Sequence, residues 1–187
     1  RYEPFNEQER EDKKEILRQM EQADHILTRD NRNAHITVSA WIMDRDRKKV
    51  LMAYHNLYQS WAWLGGHADG DADLKAVALK EIREESGLES VRFVTEDIFS
   101  LEILTVDGHE KRGSYVPSHL HLNVTYLLEA DPELPLRIKE DENSEIGWIG
   151  VEEIERRSTE KWFVERIYSK LCKKAQSLRN GKLAILE

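Results

Sequence analysis

Glu81, Glu84 and Glu85 stand three and four residues apart in the run KEIREES. On a helix that spacing gathers three carboxylates into an arc of roughly 100° on one face. Like charges so close repel unless something cationic lies between them. All-oxygen donors of this kind suit a hard divalent ion, Mg2+ or Mn2+, which keeps several waters and shares its remaining positions with substrate phosphates. The structural alternative is a solvated acidic face steadied by Lys80 and Arg83, and that run alone does not separate the two readings.

The element that must hold these groups is a helix. Asp73 reads as its N-cap, Leu74 to Ser86 runs free of Gly and Pro, and Gly87 offers a left-handed stop. Leu74, Ala78 and Ile82 are placed to pack it down while the carboxylates look outward. Upstream, the aromatic and apolar stretch HNLYQSWAWL leads into Gly65-Gly66 and the acidic loop HADGDAD.

Counted from Gly66, the segment ending in Lys80-Glu81-Ile82-Arg83-Glu84-Glu85-Ser86-Gly87-Leu88 resembles the signature of the Nudix hydrolases. That signature is Gly, five residues, Glu, seven residues, Arg-Glu, an aliphatic, any residue, Glu-Glu, any residue, Gly and an aliphatic. The register from Gly66 to Leu88 needs no insertion, with Gly66, Lys80 and Gly87 as supporting positions. Two fixed positions depart: Ala72 stands where the first Glu is expected, and Lys80 replaces the Arg. A lysine offers a point charge where arginine offers a planar fork, and Asp71 or Asp73 is the expected replacement partner for Lys80. Leu64, where many members have Pro, is a softer departure.

The resemblance implies an α/β fold, a Nudix α/β/α sandwich with a mixed β-sheet over residues 33–155. An N-terminal helical extension (1–32) and a C-terminal helix (156–187) complete a single domain. It implies Mg2+-dependent or Mn2+-dependent hydrolysis of a diphosphate linkage in a nucleoside diphosphate joined to another group. Glu81, Glu84, Glu85 and the Gly65 carbonyl are its metal ligands. Family members often add a carboxylate from a loop before the strand that here reads as Ile146 to Ile149, and Glu140, Glu142 and Glu145 are the candidates. Glu81 or a loop Glu would take the water's proton. The rival class is a Nudix-fold nucleotide-binding or regulatory protein that has lost hydrolysis, motivated by Ala72 and Lys80. An isomerase of the same fold needs a cysteine in the site, whereas Cys172 lies in the last helix. The substrate markers of the ADP-ribose and dinucleoside polyphosphate hydrolases, a proline or a tyrosine at a set distance beyond the box, are missing.

Length and composition agree with a single domain. A chain of 187 residues, 40% hydrophobic, buries one sizeable core. Its net charge of −8 argues against a general nucleic-acid surface, which wants a basic stripe. A single cysteine and no CxxC pair exclude an intramolecular disulfide and fit a reducing cytosol. No apolar run approaches the roughly 18 to 20 residues of a membrane span, and RYEPFNEQER does not read as a signal peptide. A cytoplasmic protein is expected.

Along the chain, Asn6 to Thr28 reads as an amphipathic helix through Ile16, Leu17, Met20, Ala23, Ile26 and Leu27, packed on the domain or serving a homodimer contact. His35 to Met43 alternates as a strand, Asp44 to Lys49 turns, and Val50 to Tyr54 returns. Tyr54 and Trp63, with Tyr58 and Trp61 between them, flank the Gly pair. Core packing is the expected role of each ring, and base stacking is the functional alternative. Ile98 to Val106 reads as a strand carrying Glu102. The turn-rich DGHEKRGSYVPS that follows carries Lys111 and Arg112, permanent charges suited to a substrate phosphate. His119, His121, Asn123 and Thr125 then share one strand face, and Leu120, Leu122, Val124 and Tyr126 the other. The two histidines either face the cleft and contact substrate or lie on a solvated outer face. A histidine metal site is not the expected reading, because no third nitrogen or sulfur ligand stands at a telling spacing. A last helix is expected from Ser158 to Leu178, stopped by Asn180-Gly181.

Overall fold

The apolar runs in the middle of the chain become strands of one mixed sheet in the computed structural model, which describes residues 2–111 and 113–179. The first elements are α1 (Glu7–Gln22), β1 (Ala34–Met43), β2 (Lys49–His55), β3 (Ser60–Ala62), β4 (Leu64–His67) and α2 (Leu74–Ser86). There follow β5 (Arg92–Phe93), β6 (Ser100–Val106), β7 (His109–Lys111), β8 (Ser114–Val116), β9 (His119–Glu129) and β10 (Asn143–Gly150). Two helices close the described chain, α3 (Ile154–Arg157) and α4 (Ser169–Arg179). The eight-stranded sheet runs β10-β2-β1-β9-β5, with β3 on β2, β4 on β1 and β6 on β9, while β7 and β8 form a separate hairpin. Strands β1 and β9 are parallel, Ala34 facing Leu120 at one end and Met43 facing Glu129 at the other.

Because β1 is central, both of its faces are covered and all ten of its residues are buried. Ile36, Val38, Ala40 and Ile42 join Leu122, Val124 and the helix residues Val77, Ala78 and Ile82 in one layer. Trp41 and Met43 join Met52, Leu127, Ile149, Ile167, Tyr168 and Leu171 in the other. The result is the α/β/α arrangement that the resemblance implies, with α2 on one side of the sheet and the C-terminal helices on the other.

The terminal helices differ from their expected extents. The first ends at Gln22 and not at Thr28, since Ala23 is extended and His25 takes a φ of 57°. Leu17 and Met20 stay exposed, and α1 docks instead through Ile16 and a fully buried Glu9. Glu9 is held 3.2 Å from Lys174 and 3.3 Å from Lys170, and Lys170 also reaches Glu102 at 2.9 Å. Of the expected apolar stripe, Ile16 joins the core and Ile26 and Leu27 pack against it, and buried opposite charges complete the docking. The expected helix from Ser158 begins at residue 161, because Ser158 caps α3, and it runs on through a π-helical turn, Phe163–Tyr168, into α4. The Asn180-Gly181 stop lies outside the described residues. Cys172 packs in this segment half-buried, with its thiol pushed up to about 12 by burial, which suits packing and not nucleophilic attack. No helix among the described residues is long and apolar enough to cross a membrane.

Candidate active site

The carboxylate helix is fixed at both ends by its own sequence. Asp73 accepts the Ala76 N–H at 3.1 Å, and Gly87, at a φ of 71°, donates its N–H to the Arg83 carbonyl at 3.0 Å. Burial of Val77, Ala78 and Ile82 then sets the rotation of the helix, leaving Glu84 exposed while Glu81 and Glu85 turn in against the sheet. Strand β4 brings the Gly pair to them, Gly65 facing Ser39 and Gly66 facing Val38. A Cβ on Gly66 would lie 2.4 Å from the Glu81 carboxyl carbon, and one on Gly65 would lie 2.3 Å from the Val38 carbonyl oxygen. Only glycine permits this approach of backbone to carboxylate.

Burial pushes the Glu85 carboxyl up to about 8, although the Gly65 N–H donates to it at 3.4 Å. Glu81 is also held above the ordinary carboxylate range, by burial first and then by the Glu84 charge. Two ammonium groups compensate in part. Lys80 Nζ lies 3.9 Å from Glu81 and 3.8 Å from Glu84. Lys139 Nζ lies 3.9 Å from Glu84 and 3.0 Å from Glu142. The expected partner of Lys80 was Asp71 or Asp73, and the structure corrects this. Asp73 is occupied as the N-cap, Asp71 accepts the Asp73 N–H at 2.8 Å, and Lys80 lies one turn from Glu84 on the same helix face.

Glu142 reaches the cluster because its loop is docked on α2: the Arg137 N–H donates to the Ser86 carbonyl at 2.8 Å. A cavity of about 600 Å3 opens here, lined by Gly65, Gly66, Glu81, Glu84, Lys80, Lys139 and Glu142. Glu145 is exposed on β10 opposite Tyr54, and neither is among the described residues that line the cavity. The Tyr54 ring instead packs edge-on to Trp61. Trp63 meets Trp41, Phe163 and Tyr168 edge-on, as core packing expects, and also lines the cavity beside Tyr58, Tyr115 and Phe163. Lys111 belongs to β7, and Arg112 lies outside the described residues.

His119, His121 and Asn123 line the same cavity, so the two histidines face the cleft and not a solvated outer face. Thr125 turns instead to Glu102, its hydroxyl donating at 2.7 Å. Asn123 anchors the floor, accepting from Thr37 at 2.9 Å and Ser39 at 3.0 Å and donating to Glu102 at 3.1 Å. The lining residues not singled out as site residues from the sequence include Lys139, Tyr115, the ion-paired Arg29 and Asp69, and His35 and His67. Arg29 sat in what read as a polar link. His35 was legible as the polar face of its strand, but nothing local told which strand would lie beside it.

The comparisons agree with this architecture. The NUDIX domain profile matches residues 33–171. Among solved structures, the chain is similar to a C. elegans Ap4A hydrolase, at 17% identity over 79% of this chain and 98% of that one, with a TM-score of 0.56. It is similar to a MutT protein from Methanosarcina mazei Go1, at 17% identity over 78% and 98%, with a TM-score of 0.56. It is also similar to the E. coli dihydroneopterin triphosphate pyrophosphohydrolase, at 13% identity over 74% and 95%, with a TM-score of 0.54. No curated protein matches the sequence. With the box register in the sequence, the carboxylate helix packed on the Gly pair and a profile match across most of its length, the chain belongs to the Nudix family.

Proposed function

We propose that this protein is a divalent-metal-dependent hydrolase that cleaves the diphosphate linkage of a nucleoside diphosphate joined to a second group. The observation that carries the reading is one cavity lined both by Glu81 and Glu84 with two lysines and by a set of aromatic rings, with Glu85 buried behind them against the Gly65 N–H. The donor set fits a hard ion. It is all oxygen, two of its carboxyls are held above their ordinary range, and the nearby ammonium groups stand too far off to hydrogen-bond to Glu81 or Glu84. Glu81, Glu84, Glu85 and the Gly65 carbonyl would hold Mg2+ or Mn2+. Such an ion neutralises bridging phosphates and lowers the pKa of a bound water.

The chain's own residues supply the rest. Lys80 and Lys139 would add positive charge beside the substrate phosphates, and Glu142, paired with Lys139 at 3.0 Å, would accept a proton from the attacking water. Tyr58, Trp63 and Tyr115 offer faces on which a base gains roughly 1 to 3 kcal/mol by stacking. Water adds across the P–O–P bridge, one phosphorus keeping the bridging oxygen and the other gaining the water oxygen. Two proteins of similar fold, an Ap4A hydrolase and a dihydroneopterin triphosphate pyrophosphohydrolase, support that bond class.

The test is incubation of the protein with nucleoside triphosphates, nucleotide sugars, ADP-ribose and dinucleotides, with Mg2+ and then with chelator. Cleavage that stops on chelation is expected. Tight binding of one compound without cleavage would favour the binding-protein reading, with Ala72 and Lys80 as its cause. Gly66→Ala offers a second check, since its Cβ displaces the Glu81 carboxylate. We expect a loss of about 100-fold in kcat/KM and about 1 to 3 kcal/mol of stability, measured by turnover and thermal melting.

Glu85 also predicts a pH dependence of the metal-free protein. Its carboxyl ionises near 8 in the fold and near about 4.3 in the unfolded chain, so between those values the folded state holds a proton that the unfolded state has lost. Stability therefore falls as pH rises through this window, by up to about 1.4 kcal/mol per pH unit. Thermal melts of chelated protein across this window should show the fall in the wild type and a flatter profile in Glu85→Gln.

A further inference from the structure

The cavity carries a second set of metal-binding atoms. We propose that His35, His119 and His121 form a binding site for a divalent transition ion of the Zn2+ class, separate from the carboxylate donors. The parallel pairing of β1 and β9 sets His35 directly opposite His121, and the two-residue period of β9 puts His119 on the same face. Their ligand nitrogens all lie within 4.8 Å of one another. The His119 and His121 Nε2 atoms are 3.2 Å apart, close to the edge of about 3.3 to 3.4 Å that follows from tetrahedral Zn–N bonds of about 2.0 to 2.1 Å.

The hydrogen bonds on the far side of the rings fix which nitrogen is offered. His35 Nδ1 lies 3.0 Å from the Asn31 carbonyl and His119 Nδ1 lies 2.9 Å from the Pro117 carbonyl. A carbonyl only accepts, so each Nδ1 carries the proton and each Nε2 presents a lone pair to the cluster. His35 is 4% exposed, and its Nε2 has no hydrogen-bond partner. A buried, unpartnered lone pair beside two further imidazoles is what a metal ion would satisfy. Burial, with neighbouring imidazoles and Arg29, disfavours protonation of His35 and His121, and the Arg29 charge is itself met by Asp69. Neutral imidazoles are the ligand form. The His67 ring closes one side, its centroid 5.1 Å from that of His35 and 4.9 Å from that of His121. Nitrogen donors select Zn2+, Co2+, Ni2+ or Cu2+ over Mg2+. Three histidines leave a fourth position for water or a ligand oxygen in the cavity.

This inference does not rest on the hydrolytic reading, and its test needs no turnover. The full chain is stripped with chelator and titrated calorimetrically with Zn2+, beside His35→Gln, His119→Gln and Glu84→Gln. We expect one ion per chain whose affinity falls by on the order of 100-fold or more in either histidine variant, at or beyond the ~10–100-fold that loss of an outer-shell partner costs. Glu84→Gln should leave it within about threefold. Co2+ supplies a readout of the ligand sphere: visible bands of tetrahedral, nitrogen-ligated Co2+ should appear in the wild type and vanish in His119→Gln. His119 is only half-buried, so this variant is expected to melt as the metal-free wild type does. No Zn2+ binding, or binding lost in Glu84→Gln and kept in His119→Gln, would overturn the proposal.

Discussion

Replacing Glu85 with Gln is expected to lower kcat by about a thousandfold or more, without lowering thermal stability near neutral pH. The substitution keeps the side chain's shape and removes its charge. Glu85 is 6% exposed, so solvent cannot stand in for the lost anionic ligand. Ion-based stabilisation of a phosphoryl transition state is worth several kcal/mol, and each 1.36 kcal/mol is tenfold in rate. The metal-free variant should melt no lower than the wild type, and progressively higher than it as pH rises towards 8. Burial favours the protonated, neutral carboxyl, Gln mimics that form, and only the wild type must hold a proton that its unfolded chain has lost. Steady-state turnover and thermal melting read the two effects separately. A loss below tenfold would place Glu85 outside the reacting centre.

The largest effect on stability is expected from Lys170→Met. Lys170 is buried between Glu102 at 2.9 Å and Glu9 at 3.3 Å, and both carboxylates are fully buried. Removing the ammonium leaves Glu102 without its ion partner and Glu9 with Lys174 alone, at 3.2 Å. Breaking one side of a buried ion pair costs about 3 to 5 kcal/mol. At about 2 to 4 °C per kcal/mol for a chain of this size, the melting temperature should drop by about 6 to 20 °C. Adding Glu102→Gln to the same chain should recover part of the loss, because it removes the uncompensated charge. The cluster also supports the cavity floor, since Glu102 accepts from Asn123. A change below about 1 kcal/mol would show that the ion network does not hold the terminal helices.

What the sequence made legible was local chemistry. Asp73, the uninterrupted run to Ser86 and Gly87 act within one helix, and the fixed register from Gly66 carries the Gly pair to the same carboxylates. What it hid was tertiary. Glu142 could not be chosen over Glu140 and Glu145, because the choice depends on the Arg137 N–H meeting the Ser86 carbonyl across the fold. His35 looked like one polar residue of an alternating strand until the parallel pairing set it beside His121. The N-terminal helix misled for a related reason. Its apolar spacing pointed to Leu17 and Met20 beside Ile16, yet of these only Ile16 is buried, and the helix docks also through Glu9, whose burial is made tolerable by lysines from the far end of the chain.

The most direct measurement is turnover in 18O-labelled water with Mg2+, read by mass spectrometry of the products of whichever diphosphate compound the protein binds. The account predicts one labelled oxygen, on the phosphorus that water attacked, in products that form with wild-type protein and not with Glu85→Gln or after chelation. A bound compound recovered intact and unlabelled would contradict it and leave a Nudix fold that binds without hydrolysing.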